Sequence, residues 1–163
     1  MDLDEAFEAY VDDLYRYLFS LSKNHHTAED LVQETFYRAY LKLSEDDICH
    51  IKTWLYKVAY HAFIDFMRKQ KRLVITDEVD NRISMKTPEI DLLEKEGFAA
   101  LMNDIHSLKE IEMHTLVLCD LHQLSLKETA EILQLNLNTL KSHLSRGRKK
   151  VVERVKERRR QDG

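Results

Sequence analysis

LSLKETAEILQLNLNTLKSHLSRGRKK, residues 124–150, decides how this chain reads. Ser125 caps a first helix, and Glu128 three residues later completes a capping box. Leu126, Ala130 and Leu133 give that helix an apolar stripe. After Gln134-Leu135-Asn136 a second helix starts near Leu137, with Leu140, Leu144, Gly147, Val151 and Val155 facing inward at spacings of three and four. Its opposite face carries Ser142, Ser145, Arg146 and Lys149, with Lys141 and Arg148 on one flank. An apolar face that docks on a domain, backed by short hydroxyls and long cations, is the layout of a helix that reads a DNA major groove. A three-helix bundle with a solvated basic face carries the same pattern.

Working outward, only three Gly and one Pro in 163 residues predict long helices and an all-α fold, with length for one ordinary domain or two small ones. The net charge of −4 hides a segregation. Residues 141–163 hold ten Lys/Arg against three Asp/Glu, and residues 54–75 hold five against one. Residues 1–53 hold five against twelve. Two basic islands in an acidic chain give a polyanion two places to touch. Cys49 and Cys119 are too few and too isolated for a disulfide framework, which suits a reducing compartment. Cys119 lies near His114 and His122 without a second ligand pair, so these residues read as a buried thiol and helix histidines rather than a metal site. No apolar run approaches the ~20 residues that span a bilayer. The acidic, amphipathic start MDLDEAFEAY is unlike a signal peptide, and the expected location is cytoplasmic.

From the N-terminus, a helix is predicted from Asp4 to Leu21, burying Phe7, Val11, Leu14, Leu18 and Leu21. Thr27 is positioned to cap a second helix, Ala28–Leu43, whose inner face is Ala28, Leu31, Val32, Phe36, Ala39 and Leu43. Its outer face, with Asp30, Gln33, Glu34, Tyr37 and Leu41, suits a protein-docking surface and a solvated face equally well. An acidic loop, residues 44–52, precedes a third helix, Thr53–Gln70, that is apolar on two sides. Leu55, Val58, Ala62 and Phe66 make one side; Tyr56, Tyr60, Phe63 and Met67 make the other. A strip with Trp54, His61, Asp65 and Arg68 runs between them, and His61 and Asp65 are spaced to pair. Aromatic rings beside the basic run Arg68, Lys69, Lys71 and Arg72 suit unpaired bases and phosphates, but two core faces and a solvated tail explain the same pattern. Periodicity lapses over residues 73–86, and Thr87-Pro88-Glu89 restarts a helix that runs through Ile90, Leu93, Leu101 and Ile105 to about Ser107. A further helix covers Lys109–Leu121, and the tail RVKERRRQDG is expected to fray.

Three blocks in series resemble the extracytoplasmic-function type of bacterial sigma-70 factor. AEDLVQETFYRAY (28–40) is similar to the family's core-polymerase-binding segment, TWLYKVAYHAFIDFMRKQKR (53–72) to its −10 recognition and melting segment, and residues 124–150 to its −35 helix-turn-helix. The resemblance implies two helical domains: region 2 over residues 1–74, with core binding at 28–41 and −10 recognition at 53–72, and region 4 over 89–163, with its helix-turn-helix at 125–149. A flexible linker, 75–88, joins them. It further implies that Asp30, Gln33, Glu34 and Tyr37 touch the polymerase. Trp54, Tyr56, Tyr60, His61 and Phe63 would face the −10 element, with Arg68, Lys69, Lys71 and Arg72 on its backbone. Lys141, Ser142, Ser145 and Arg146 would read the −35 element, with Arg148 and Lys149 on phosphate. The implied partners are core RNA polymerase, promoter DNA and an anti-sigma factor, commonly membrane-bound, with no cofactor, metal, small-molecule substrate or catalytic residue. The chain departs from the family pattern at His61, where Asn is usual, at Gln134, where a turn glycine is common, and at Lys109, where proline often follows the preceding leucine. A stand-alone helix-turn-helix repressor is the rival reading; it predicts a dimer and tight operator binding without polymerase. A nucleic-acid enzyme would need converging carboxylates or a nucleophile with a base, and the Asp/Glu pairs here fall on solvent faces of helices.

Overall fold

The computed structural model describes residues 2–43, 50–74 and 92–162. The acidic loop with Cys49, the linker expected at 75–88, the Thr87-Pro88 helix start and Ile90 lie outside them, as do the side chains of Leu43 and Leu93. Every regular element among the described residues is helical, and the chain divides into two compact units, Met1–Met85 and Lys86–Gly163.

In the first unit three helices pack mutually: α1 (Leu3–Ser22), α2 (His25–Leu43) and α3 (Ile51–Val74). Asp2 starts α1 with a capping box, its side chain accepting from the Glu5 N–H at 2.8 Å while Glu5 accepts in return from the Asp2 N–H. Lys23 stops it in the left-handed region at φ 57°. The cap of α2 is Asn24, whose side chain accepts from the Thr27 N–H at 3.0 Å, so the helix begins two residues before Thr27, the expected cap. Leu14, Tyr17 and Leu18 of α1 are fully buried along with Leu55 and Ala59 of α3, and Leu31, Val32 and Phe36 close the core from α2. Each such side chain contributes about 1.5–3 kcal/mol on leaving water. Phe7, expected inside, is 46% exposed and lies edge-on against Phe36 with centroids 4.9 Å apart.

The second unit comprises α4 (Leu92–His106), α5 (Glu110–Leu116), α6 (Leu126–Leu133) and α7 (Leu137–Asp162). α4, α5 and α6 all pack on α7. The expected single helix to Leu121 instead widens into a π turn over Val117–Leu121, with the His122 and Leu124 N–H groups reaching back to the Val117 and Leu118 carbonyls at 3.1 and 3.0 Å. Gly147 allows the tightest approach in this core, since a Cβ there would lie 2.4 Å from Leu116 Cδ1. The C-terminal tail continues α7 to Asp162 rather than fraying. Val151 and Val155 remain half-buried on it, and Arg158 pairs with Asp104 of α4.

Candidate nucleic-acid interface

α6, a tight turn and α7 form the helix-turn-helix. Glu128 N–H donates to Ser125 Oγ and Ser125 N–H to Glu128 Oε1, both at 3.0 Å, which is the expected capping box. Thr129, Ala130, Ile132 and Leu133 are the buried residues of α6; Leu126 is only half-buried. Gln134 adopts φ 56°, ψ 46°. The turn therefore keeps its left-handed residue without glycine, at about 1–2 kcal/mol, and the Leu135 N–H returns to the Ala130 carbonyl at 3.0 Å. Asn136 caps α7 by accepting from the Thr139 N–H at 2.8 Å, which the Asn-x-x-Thr spacing could have announced. Leu140, Leu144 and Gly147 are buried as expected.

Lys141, Ser142, Ser145, Arg146, Arg148 and Lys149 are all exposed on α7. Two of them are tied to α5 and the π turn, which sequence spacing did not reveal. Glu112 of α5, with 1% of its side chain exposed, accepts from Lys150 Nζ at 2.8 Å and lies 3.7 Å from Arg146 Nε. The Lys150 hydrogen bond overcomes burial and holds the Glu112 carboxyl below the usual carboxylate range. Asp120, in the π turn, receives two bonds from Arg148, 3.0 Å from Nε and 2.7 Å from Nη2. A cleft of about 350 Å³ lies between the start of α6 and this face, lined by Leu126, Lys141, Leu144, Ser145 and Arg148. Cys119 donates its thiol to Thr129 Oγ1 at 3.3 Å, and partial burial pushes its pKa up, away from the reactive thiolate.

In the first unit the aromatic strip of α3 divides. Trp54, Tyr60 and His61 are half-buried, whereas Tyr56 and Phe63 are core residues at 3% and 4% exposure. Tyr56 packs against Tyr17 with centroids 5.2 Å apart, so these two rings brace the strip rather than open onto it. Arg68, Lys69, Lys71 and Arg72 are exposed beyond it. Asp65 does not pair with His61; its carboxylate is taken by Arg38 of α2 at 3.0 Å, and Arg38 also holds Glu34 at 3.0 Å. Partial burial, helped by Lys57 and opposed by Asp65, pushes the His61 pKa below its ordinary 6.5. At neutral pH the ring is thus uncharged, with one donor and one acceptor nitrogen.

On α2, Asp30, Gln33, Glu34 and Tyr37 are exposed, and Tyr37, Tyr40 and Leu41 are 61%, 67% and 52% accessible. Tyr40 enlarges the apolar part of this acidic face beyond the sequence reading. Among the described residues, no three His, Cys, Asp or Glu side chains come together as a metal site, and no helix is long and apolar enough to cross a membrane.

The sequence matches two family descriptions: Sigma-70 region 2 over residues 6–73, and Sigma-70, region 4 over residues 99–151. It is 36% identical to the ECF RNA polymerase sigma factor SigM of Bacillus subtilis over 155 residues, covering 93% of each chain. It is 30% identical to SigW of the same organism, covering 94% of this chain and 88% of that one. Among solved structures, the fold is similar to the sigma factor RpoE from Bartonella quintana, in complex with the anti-sigma factor NepR. There the TM-score is 0.78 at 24% identity, covering 94% of this chain and 96% of that one. It is also similar to CnrH in complex with the cytosolic domain of CnrY, with a TM-score of 0.72 at 16% identity, covering 95% and 88%.

Proposed function

The chain belongs to the extracytoplasmic-function sigma factors of RNA polymerase, and from that premise we propose how its own residues divide the work of initiation. The observation that carries the reading is the face of α7, where Lys141, Ser142, Ser145 and Arg146 stand exposed on a helix whose other side is locked into the domain at Gly147. Long donors and short hydroxyls there read −35 base edges, and Arg148 and Lys149 take phosphates. α3 handles the −10 element. Trp54 and Tyr60 supply ring faces for unpaired bases, neutral His61 offers a donor and an acceptor as the usual Asn would, and Arg68, Lys69, Lys71 and Arg72 follow the backbone. Tyr56 and Phe63 act from the core, setting the strip's position. Asp30, Gln33, Glu34 and Tyr37 dock on a basic surface of core polymerase.

The protein performs no bond-making of its own in this reading; captured bases stabilise the open strand and the polymerase supplies catalysis. It works in the cytoplasm, with region 2 at residues 1–74 and region 4 at 89–163 acting as the two ends of one promoter clamp. Each DNA surface is small and the chain is acidic overall, so isolated DNA binding is weak and salt-sensitive. Held together by polymerase, two weak contacts act as one through effective concentration. An anti-sigma factor, the kind of partner seen with the RpoE fold, is the fitting antagonist.

The test is in vitro transcription with core polymerase on promoters selected from a randomised library. Arg146→Ala is expected to reduce −35-dependent transcription while leaving polymerase association intact, and charge reversal at Asp30 or Glu34 to reduce association itself. Equal loss of both activities in Arg146→Ala defeats the α7 assignment. Undiminished co-purification of polymerase with the reversed α2 face defeats the docking assignment. A dimer that binds an operator tightly without polymerase favours the repressor instead.

A further inference from the structure

We propose that Asp120 is a specificity-positioning residue: it holds Arg148 as a fixed phosphate ligand and keeps that cation from phosphates out of register. The inference rests on the reading of α7 as the −35 element binder. Arg146 and Arg148 flank Gly147 on one helix and are similarly open, with 57% and 56% of their side chains exposed. Their restraints differ. Arg146 lies 3.7 Å from Glu112 through Nε and 3.2 Å from His143 Nδ1 through Nη2, two separate one-point contacts that do not share one acceptor group. Arg148 meets Asp120 through Nε and Nη2 together, at 3.0 and 2.7 Å. A two-point bond of this kind fixes the plane of the guanidinium as well as its position.

Of the five N–H donors of an arginine, two are consumed by that bond, and the remaining three point away from Asp120. Arg148 itself lines the cleft, together with Lys141, Ser145 and Leu126. A phosphate in that cleft meets donors already in place. A phosphate elsewhere meets a cation that does not swing toward it, and the Asp120 carboxylate repels it. Asp120 stands within the π turn Val117–Leu121, and from there its carboxylate meets α7. Asp120 therefore gives up general DNA affinity and gains register.

The experiment uses the full chain in holoenzyme, as wild type, Asp120→Asn, Arg148→Ala and the double variant. The probes are a promoter duplex selected by wild-type holoenzyme from a pool randomised at −35, and the same duplex with −35 scrambled. Affinity for each is measured from 50 to 200 mM salt, with holoenzyme assembly and thermal unfolding followed in parallel. Freeing Arg148 adds about one phosphate contact on the scrambled duplex, with a salt slope near 0.9, so Asp120→Asn is expected to lose about threefold more affinity for that duplex over that salt range than wild type. It should bind the scrambled duplex about threefold more tightly at 50 mM and discriminate the two duplexes correspondingly less. In the Arg148→Ala background the Asp120 substitution should change neither slope nor ratio. An Asp120→Asn protein with wild-type slope and ratio overturns the proposal. So does equal weakening on both duplexes with lowered thermal stability, or an effect that persists without Arg148. If wild-type holoenzyme itself fails to discriminate the duplexes, the −35 reading falls and takes the proposal with it.

Discussion

Mild acid should destabilise the second unit, and His114 sets much of the amount. Its side chain lies within α5 with 3% of the residue's surface exposed. Burial first, and nearby His106 second, push the imidazole down from its ordinary 6.5 to about 4. The folded chain keeps the ring neutral, while the unfolded chain protonates it freely. Because the folded value lies below the unfolded one, the stability involved is complete above pH 6.5 and is lost as the pH falls toward about 4. Each pH unit of that interval costs about 1.4 kcal/mol, and the whole interval about 3 kcal/mol. A domain of this size has only about 4–12 kcal/mol in total. Urea unfolding at steps from pH 7 to 4.5, followed by the amide NMR signals of α5 and α7, measures the slope. Fluorescence of Trp54, the chain's one tryptophan, follows the first unit separately. His114→Gln is expected to flatten the dependence between pH 6.5 and 5. A His114→Gln protein that keeps the wild-type slope there refutes the assignment, and so does a wild-type second unit whose stability is constant over that range.

Three further outcomes follow from the packing and capping of the second unit. Glu112→Gln should destabilise the second unit by about 1–3 kcal/mol at pH 7 through the weakened Lys150 bond. Because the Glu112 pKa is depressed, that stability is present above 4.5 and lost as the pH falls through the folded value, so urea midpoints of variant and wild type should converge in stronger acid. Gly147→Val places a Cβ 2.4 Å from Leu116 Cδ1 and adds two methyls behind it, so a loss of about 1–3 kcal/mol is expected in thermal melts, together with weaker binding of promoter duplex. Ser125→Ala removes the cap of α6 and should cost about 0.5–2 kcal/mol, read as faster amide exchange in its first turn with α1–α3 unaffected.

Local patterns carried much of the architecture. The inner face of α2, the capping box at Ser125 and Glu128, and the Leu140-Leu144-Gly147 seam of α7 all follow from spacing and end chemistry along one helix. What spacing could not supply was the neighbour. α3 is apolar on two sides, and only the arrival of α1 decides that Tyr56 is covered while Trp54 and Tyr60 remain partly open. The pairs Arg38–Asp65, Glu112–Lys150 and Asp120–Arg148 join residues 27, 38 and 28 positions apart, beyond any helical repeat. They also redirect the site. His61 loses its expected partner to α2, and Arg148 proves to be held rather than loose. The polar composition of the tail argued for fraying, but Val155 against the domain and Arg158 on Asp104 outweigh it.

The π turn at Val117–Leu121 makes this chain sensitive to length in a way that residue identity does not capture. Deleting one codon there would restore an ordinary helical turn, and both flanking helices could keep every side chain. Everything downstream would nevertheless be re-phased by about 100°, the angle between successive residues on a helix. Asp120 would leave Arg148, and Leu116 would no longer lie over Gly147. A point substitution in this segment leaves that phase intact, whereas a single-residue gap does not. In comparing related chains, the number of residues between Leu116 and Ser125 is therefore a better marker of a conserved α5–α7 docking than the residues themselves.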